Sequence, residues 1–336
     1  MKAVVWVAPG EVRLEEVPPP SIGPGELLLE MRACGLCGTD LAKIFSPQEV
    51  KLGHELVGVV KVVGEGVTRF RIGDRLAVAH HIPCGSCRAC LHGNHSMCPA
   101  FKATNIDPCG FAELIRIPAV HVEQVAFRLP DGMPDEAGTF VEPLGCAIRA
   151  AKRSQILPGD RIAIVGAGVM GLLIAQVVRL YRAEAYAVDL DEERLLLAEQ
   201  LGVGATVNAA REDPGKRLFD LSGGEGIDGA ILTAVTPSVL ETVLRALRAG
   251  GRVNLFAGPS GDPRIPVDMG DLYHRELSLF ATYSTTPTEL HEAFQLLAGG
   301  KVQVAPLITH RLPLDRFEEG IRLKLTGKAV KVLFHS

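Results

Sequence analysis

Four cysteines, Cys84, Cys87, Cys90 and Cys98, fall within 15 residues, and no other feature constrains the chain as strongly. Zinc takes four soft ligands in a tetrahedron, and spacers of two, two and seven residues let one loop wrap it. Gly85, Gly93 and Pro99 supply the turns such a loop needs. Two disulfides would use the same residues. Against them, Cys34, Cys37, Cys109 and Cys146 are scattered, and the early apolar stretch is cut by Pro9 and Gly10, too short for a secretory signal. A structural zinc held by four thiolates is therefore expected. A closed site of this kind staples a lobe and does no chemistry.

The chain has 336 residues, enough for two domains with separate cores. Its net charge is −4 and it has no basic run, so a nucleic-acid partner is not expected. The most apolar interior segment, residues 169–178, contains Gln176 and is followed by Arg179, which argues against a membrane span. A cytoplasmic protein with a small-molecule substrate is the expectation.

The first third carries short β-branched runs, such as residues 3–7, 26–31 and 57–63, separated by Pro18-Pro19-Pro20, Gly23-Pro24-Gly25 and Gly64-Glu65-Gly66. That pattern reads as a barrel-like all-β region. After about residue 146 strands alternate with helical stretches: a buried strand at 161–165, a helix from Val169 to Tyr181, a strand at 185–188, a helix from Glu192 to Leu201. Alternation of this kind argues for a parallel sheet with crossover helices, hence an α/β chain. Leu290, Phe294 and Leu297 fall at helical spacing, and a last strand is expected at 329–334.

Gly166-Ala167-Gly168-Val169-Met170-Gly171 follows a strand and opens a helix, the context in which GxGxxG means dinucleotide binding. Gly166 allows the turn, Gly168 lets backbone approach a pyrophosphate, and Gly171 allows close helix–strand packing, while Val169 and Met170 start the helix. Asp189 ends the next strand, where a carboxylate can accept from an adenosine ribose and repel a 2′-phosphate, so NAD is expected. Asp189 can alternatively cap the following helix, a role for which Asp191 competes. Arg194 either flanks the adenine or lies on a solvated helix face.

Cys37-Gly38-Thr39-Asp40 and Gly53-His54-Glu55 bring a thiolate, an imidazole and a carboxylate, the mixed set of an open, catalytic zinc. Glu142 is a further candidate, with Pro143 expected to hold it extended.

In this order, Cys37–Asp40, Gly53–Glu55, the cysteine loop, Glu142-Pro143, Gly166–Gly171 and Asp189 together resemble the zinc-dependent medium-chain alcohol dehydrogenases over essentially the whole chain. Glu55 after His54 and Glu142 before Pro143 resemble the sorbitol, threonine and sugar dehydrogenase branch. The resemblance implies a GroES-like β-barrel catalytic domain at 1–145 and 283–336, with a zinc lobe at about 80–100, and a Rossmann, doubly wound parallel-sheet NAD-binding domain at 146–282. It implies two zinc ions per chain. The catalytic one would lie on Cys37, His54 and a glutamate, with Glu55, Glu142 or both touching it. Thr39 would hydrogen-bond the substrate hydroxyl and pass its proton outward. Relatives commonly carry a relay histidine where this chain has Ala42; cofactor ribose, water or Lys43 would then end the relay.

The activity implied is hydride transfer between NAD and a secondary alcohol or polyol. L-threonine 3-dehydrogenase is the alternative enzyme. A non-catalytic nucleotide-binding member is disfavoured because such members usually lack the metal residues. The resemblance also implies a homotetramer, with a seam at a late strand near 252–256 or its successor.

Overall fold

Residues 1–258 and 264–336 are described by this computed structural model. They divide into two compact units, residues 1–145 with 285–336, and residues 146–284.

In the first unit the glycine- and proline-punctuated runs pair as a seven-stranded, mostly antiparallel sheet. Its path runs Ile308–Pro313, Lys331–His335, Leu27–Gly35, Glu55–Val63, Arg75–Val78, Ala126–Arg128, with Leu114–Ile117 also paired to Leu27–Gly35. From Leu27 to Arg32 this strand alternates buried with half-buried or exposed side chains, as a sheet with one face on a core requires, and its last three residues are all buried. Phe111, Phe317 and Phe334 meet in that core with ring centroids 4.8 to 5.5 Å apart. One join positions the site. Lys331–His335 pairs antiparallel with the end of Leu27–Gly35, Leu333 opposite Gly35 and Phe334 opposite Cys34, so the last strand reaches the segment leading to Cys37.

The second unit is a six-stranded, wholly parallel sheet. Its order is Ala205–Asn208, Glu184–Asp189, Arg161–Val165, Ile227–Leu232, Leu247–Leu255, Ser278–Ala281. Numbered along the chain, that is the doubly wound 3-2-1-4-5-6 order of the Rossmann fold, with its switch point between Arg161–Val165 and Ile227–Leu232. The helix Val169–Leu180 is buried from Gly171 to Val178, which explains its nearly unbroken apolar sequence.

Of the two strands expected at a seam, the one containing Arg252 has a neighbour on each side, and among the described residues its successor, Ser278–Ala281, is one edge of the sheet and Ala205–Asn208 the other. One expectation needs correction. Glu142 is not extended: it lies in the first turn of the helix Val141–Arg153. Proline is tolerated in a first helical turn, where its missing N–H has no partner to lose, so Pro143 does not exclude Glu142 from the helix.

Candidate metal and nucleotide sites

The strand Leu27–Gly35 delivers Cys37 to the start of the helix Gly38–Ile44, which Cys37 and Asp40 cap reciprocally. Asp40 is wholly buried, and its Oδ2 accepts the Cys37 N–H at 3.0 Å. Its Oδ1 accepts the Gly53 N–H at 2.9 Å, which ties the two metal-ligand segments to each other. The same Oδ1 lies 3.2 Å from His54 Nδ1, in charge contact although the ring N–H is not aimed along a good hydrogen-bond line. Burial pushes the Asp40 carboxyl up, but His54 and the two backbone N–H groups override it and hold the carboxyl below its ordinary range. For His54 burial favours the neutral ring, yet the neighbouring Asp40 and Cys37 raise it well above the usual histidine value.

Cys37, His54 and Glu55 each place one ligand atom within 4.8 Å of the others. A thiolate, an imidazole and a carboxylate at this spacing, with a carboxylate behind the imidazole, fit a zinc ion that keeps a coordination position open. Thr39 Oγ1 lies 3.4 Å from His54 Nε2. Glu142 is buried but outside this three-residue set. Ala42 is exposed, and the Lys43 ammonium is turned to the carbonyl of Lys51 at 3.5 Å.

Three residues at this site have roles that only the fold displays. Asp40 is one, through its contacts with His54 and the Gly53 N–H. Lys331 is wholly buried and its ammonium contacts the Glu55 carboxylate. Burial alone would lower the ammonium's pKa, but Glu55 and Cys37 raise it, so it stays charged. His80 packs against two other imidazoles at a tilt, its ring centroid 4.7 Å from that of His54 and 3.8 Å from that of His81. The His80-His81 pair just before the cysteine loop was the available signal.

The cysteine loop closes on itself. None of the eight cysteines is in a disulfide, and the sulfurs of Cys84, Cys87, Cys90 and Cys98 all lie within 4.8 Å of one another. Cys90 Sγ is 3.6 Å from Cys87 Sγ and 4.0 Å from Cys84 Sγ. A tetrahedron with metal–sulfur bonds of about 2.3 Å has edges of about 3.8 Å, so these thiols match a zinc cage. Backbone N–H groups of Ser86 and Cys87 pull the Cys84 thiol down to about 6, which favours the thiolate.

In the second unit Gly166 has φ +96°, and a Cβ there would lie 2.3 Å from Thr233 Oγ1; a Cβ at Gly171 would lie 1.8 Å from the Gly166 carbonyl oxygen. At Gly168 a Cβ would meet nothing within 4 Å, which leaves a bare backbone surface at the start of a helix. A cavity of about 650 Å³ opens over it, lined by Gly166, Gly168, Asp189, Arg194 and Thr233 among others. Val169 and Met170 begin the helix beneath. Asp191 caps the helix Glu192–Gln200. Asp189 instead accepts N–H groups from Ala167 at 2.6 Å, Leu190 at 2.8 Å and Asp191 at 3.0 Å. Arg194 is drawn to both carboxylates, 4.0 Å from Asp189 and 3.7 Å from Asp191. This cradle fits a dinucleotide.

Residues 23–131 match the alcohol dehydrogenase GroES-like domain family, and residues 169–299 the zinc-binding dehydrogenase family. The chain is 33% identical to an L-threonine 3-dehydrogenase of Bacillus velezensis, over 95% of this chain and 94% of that one. Galactitol-1-phosphate dehydrogenase of Escherichia coli superposes with a TM-score of 0.88 at 28% identity, covering 100% of both chains. A structure from Sinorhizobium meliloti bound to NADP superposes with a TM-score of 0.90 at 30% identity, covering 100% of this chain and 99% of that one. Among the described residues no helix is long and apolar enough to cross a membrane. With its barrel-like and Rossmann units, its two metal-ligand clusters and its glycine loop, the chain belongs to the zinc-dependent medium-chain alcohol dehydrogenases, oxidoreductases that act on CH–OH donors with a nicotinamide cofactor.

Proposed function

We propose that the chain is an NAD-dependent dehydrogenase of secondary alcohols with a preference for polyols. The observation that carries this reading is the set Cys37, His54 and Glu55, in which a carboxylate stands beside one thiolate and one imidazole. Cys37, His54 and Glu55 would hold a zinc ion, which would supply Lewis-acid polarisation of the substrate hydroxyl, and a nicotinamide bound at the glycine loop would supply the hydride acceptor. Asp40 keeps His54 oriented for its ligand role. Thr39, on the first turn of its helix, takes the hydrogen bond from the substrate hydroxyl and hands the proton to solvent. One hydride leaves the carbinol carbon and one proton leaves its oxygen, giving a ketone. Lys331 offsets the buried charge of Glu55.

NAD rather than NADP is supported by Asp189, which lines the nucleotide cavity and whose negative charge would repel a 2′-phosphate. Oxidation of L-threonine at C3 is the second reading, favoured by the 33% identity to the Bacillus velezensis enzyme. A cytoplasmic homotetramer completes the proposal, with Ser278–Ala281 as the edge strand to be covered. A monomer in light scattering at micromolar concentration would contradict the assembly.

The test of the reaction is a panel of sorbitol, xylitol, inositol, 2,3-butanediol, L-threonine, ethanol and hexanol, each with NAD and with NADP. The proposal expects kcat/KM to be highest for a polyol or diol with NAD. If ethanol or hexanol outperforms every polyol, the polyol reading fails; if L-threonine does, the second reading replaces it.

A further inference from the structure

We propose that the second unit carries an anion site apart from the nucleotide cradle, built to take a small multivalent oxyanion of the phosphate class. The site does not depend on the reaction assigned above.

Placement comes first. A cavity of about 360 Å³ is lined by Lys152, Arg153, Gln155, Arg252, Ser278 and Phe280, three cations and no acid. That volume suits a small ligand. Side chains two apart on a strand share a face, so Ser278 and Phe280 project together, and the strand register sets Arg252 beside Ser278 on that face. Asn254, opposite Phe280, donates to the Ala150 carbonyl at 3.1 Å and to the Ser154 hydroxyl at 3.0 Å. Those bonds lay the end of the helix Val141–Arg153 over the same face, and its last turn brings Lys152 and Arg153 to the cavity. Gly229 is level with both Ile162 and Arg252, so the cavity lies where the parallel strands begin. The glycine loop follows the other end of Arg161–Val165. An anion here does not compete with a dinucleotide.

Charge comes second. Like charges gathered around a cleft raise the local concentration of counter-ions. Arg252 is the fixed member, its side chain 17% exposed. Its Nη1 donates to the Gln155 carbonyl at 2.9 Å, and its Nη2 lies 3.6 Å from Asp160 Oδ2. Asp160 is not part of the cavity wall. Basic residues in a last turn also offset the helix dipole, but that role calls for neither Arg252 nor a cavity.

The third observation is a backbone conformation. Gln155, two residues past the helix end, has φ +50°, where glycine is at ease and a longer side chain is uncommon. Such strain is kept where a side chain is used, and the Gln155 amide can donate to an oxyanion in the cavity it lines. Guanidinium, ammonium, amide and hydroxyl donors together match a tetrahedral oxyanion with several acceptor oxygens; chloride has neither the charge nor the geometry. Phe280 gives a short organic tail an apolar wall, so free phosphate and a phosphate monoester share the chemistry. Edge-to-edge pairing along Ser278–Ala281 would use groups in the plane of the sheet, which is compatible with a site on its face.

The test is isothermal titration calorimetry on the full chain, loaded with zinc and saturated with NADH so that the metal and the glycine loop are already occupied. Phosphate, sulfate and glycerol 3-phosphate are the probes, at an ionic strength held constant with sodium chloride. At least one should bind, with Kd raised about tenfold in Arg153→Gln and further in the double variant Lys152→Gln, Arg153→Gln. Dehydrogenase turnover without the anion should be unchanged in both. Gln155→Gly should also weaken binding while its anion-free Tm stays at or above that of wild type, because the strain leaves with the side chain. Tighter binding of glycerol 3-phosphate than of phosphate identifies an ester as the ligand, and the reverse identifies the free anion; both support the site. If no probe binds at millimolar concentration, or if wild type and the double variant bind equally, the site is overturned and the two helix cations serve only the dipole.

Discussion

Asp40 Oδ1 lies 3.2 Å from His54 Nδ1 while accepting the Gly53 N–H at 2.9 Å, so one buried carboxylate sets both the orientation of a metal ligand and the path of the loop carrying it. Asp40→Asn keeps the volume and removes the charge. We expect the protein to fold and its catalytic-site zinc affinity to fall roughly 10- to 100-fold, the usual cost of losing such an outer partner. Competition with a chromogenic chelator measures this. Unaltered affinity would show that Asp40 only caps a helix.

Lys331 and Glu55 form a buried pair from opposite ends of the chain. Lys331→Met leaves the carboxylate buried without its cation and should destabilise the protein by about 3–5 kcal/mol. Adding Glu55→Gln should recover most of that loss, because the orphaned charge goes with it. Denaturant unfolding of the two single variants and the double variant reads the coupling; strictly additive losses would mean the two side chains do not stabilise one another.

The sign of the pH dependence follows from His54. Its folded-state pKa is raised above the ordinary 6.5, chiefly by Asp40 against the opposing effect of burial. In metal-free protein the charged pair therefore contributes stability below about 6.5, and that stability is lost as pH rises through the folded value. Zinc needs the deprotonated nitrogen, so its stabilising effect should grow over the same window. The Tm difference between zinc-loaded and zinc-stripped protein should widen as the pH rises above the ordinary histidine value of 6.5. A constant difference would place His54 outside the metal shell.

Asp189→Gly should weaken NAD and improve NADP relative to wild type, since the carboxylate both accepts ribose hydroxyls and repels phosphate. Part of the NAD loss will come from the loop itself, because Asp189 also accepts the Ala167 N–H at 2.6 Å. Steady-state kinetics with both cofactors measures the shift. An unchanged NAD to NADP ratio would reduce Asp189 to a brace for the glycine loop.

What could be read from the sequence was local. The cysteine loop and the glycine loop each hold their chemistry within 15 residues, so spacing alone displays the geometry. Lys331 could not be read that way, because its approach to Glu55 depends on the register that sets Leu333 opposite Gly35. His80 was hidden for a similar reason: its ring contact with His54 joins two segments that nothing in the intervening sequence links. Asp40 stood in plain view beside Cys37, but its contact with His54 belongs to the fold, which brings His54 and the Gly53 N–H to the same carboxylate oxygen. Pro143 misled in a different manner. The extended preference of a residue before proline was applied to Glu142, where first-turn tolerance of proline prevails.

Zinc content per chain, measured by mass spectrometry on wild type, Cys37→Ser and Cys90→Ser alongside dehydrogenase activity, tests the central claim most directly. The account predicts two zinc ions in wild type. Cys37→Ser should keep only the loop zinc, lose activity and remain folded. Cys90→Ser should chiefly lose the loop zinc and thermal stability, because Cys90 is buried at the centre of that small lobe with Cys98 and Phe101. A single zinc in wild type, retained in Cys37→Ser and lost in Cys90→Ser, would contradict the catalytic assignment of Cys37, His54 and Glu55.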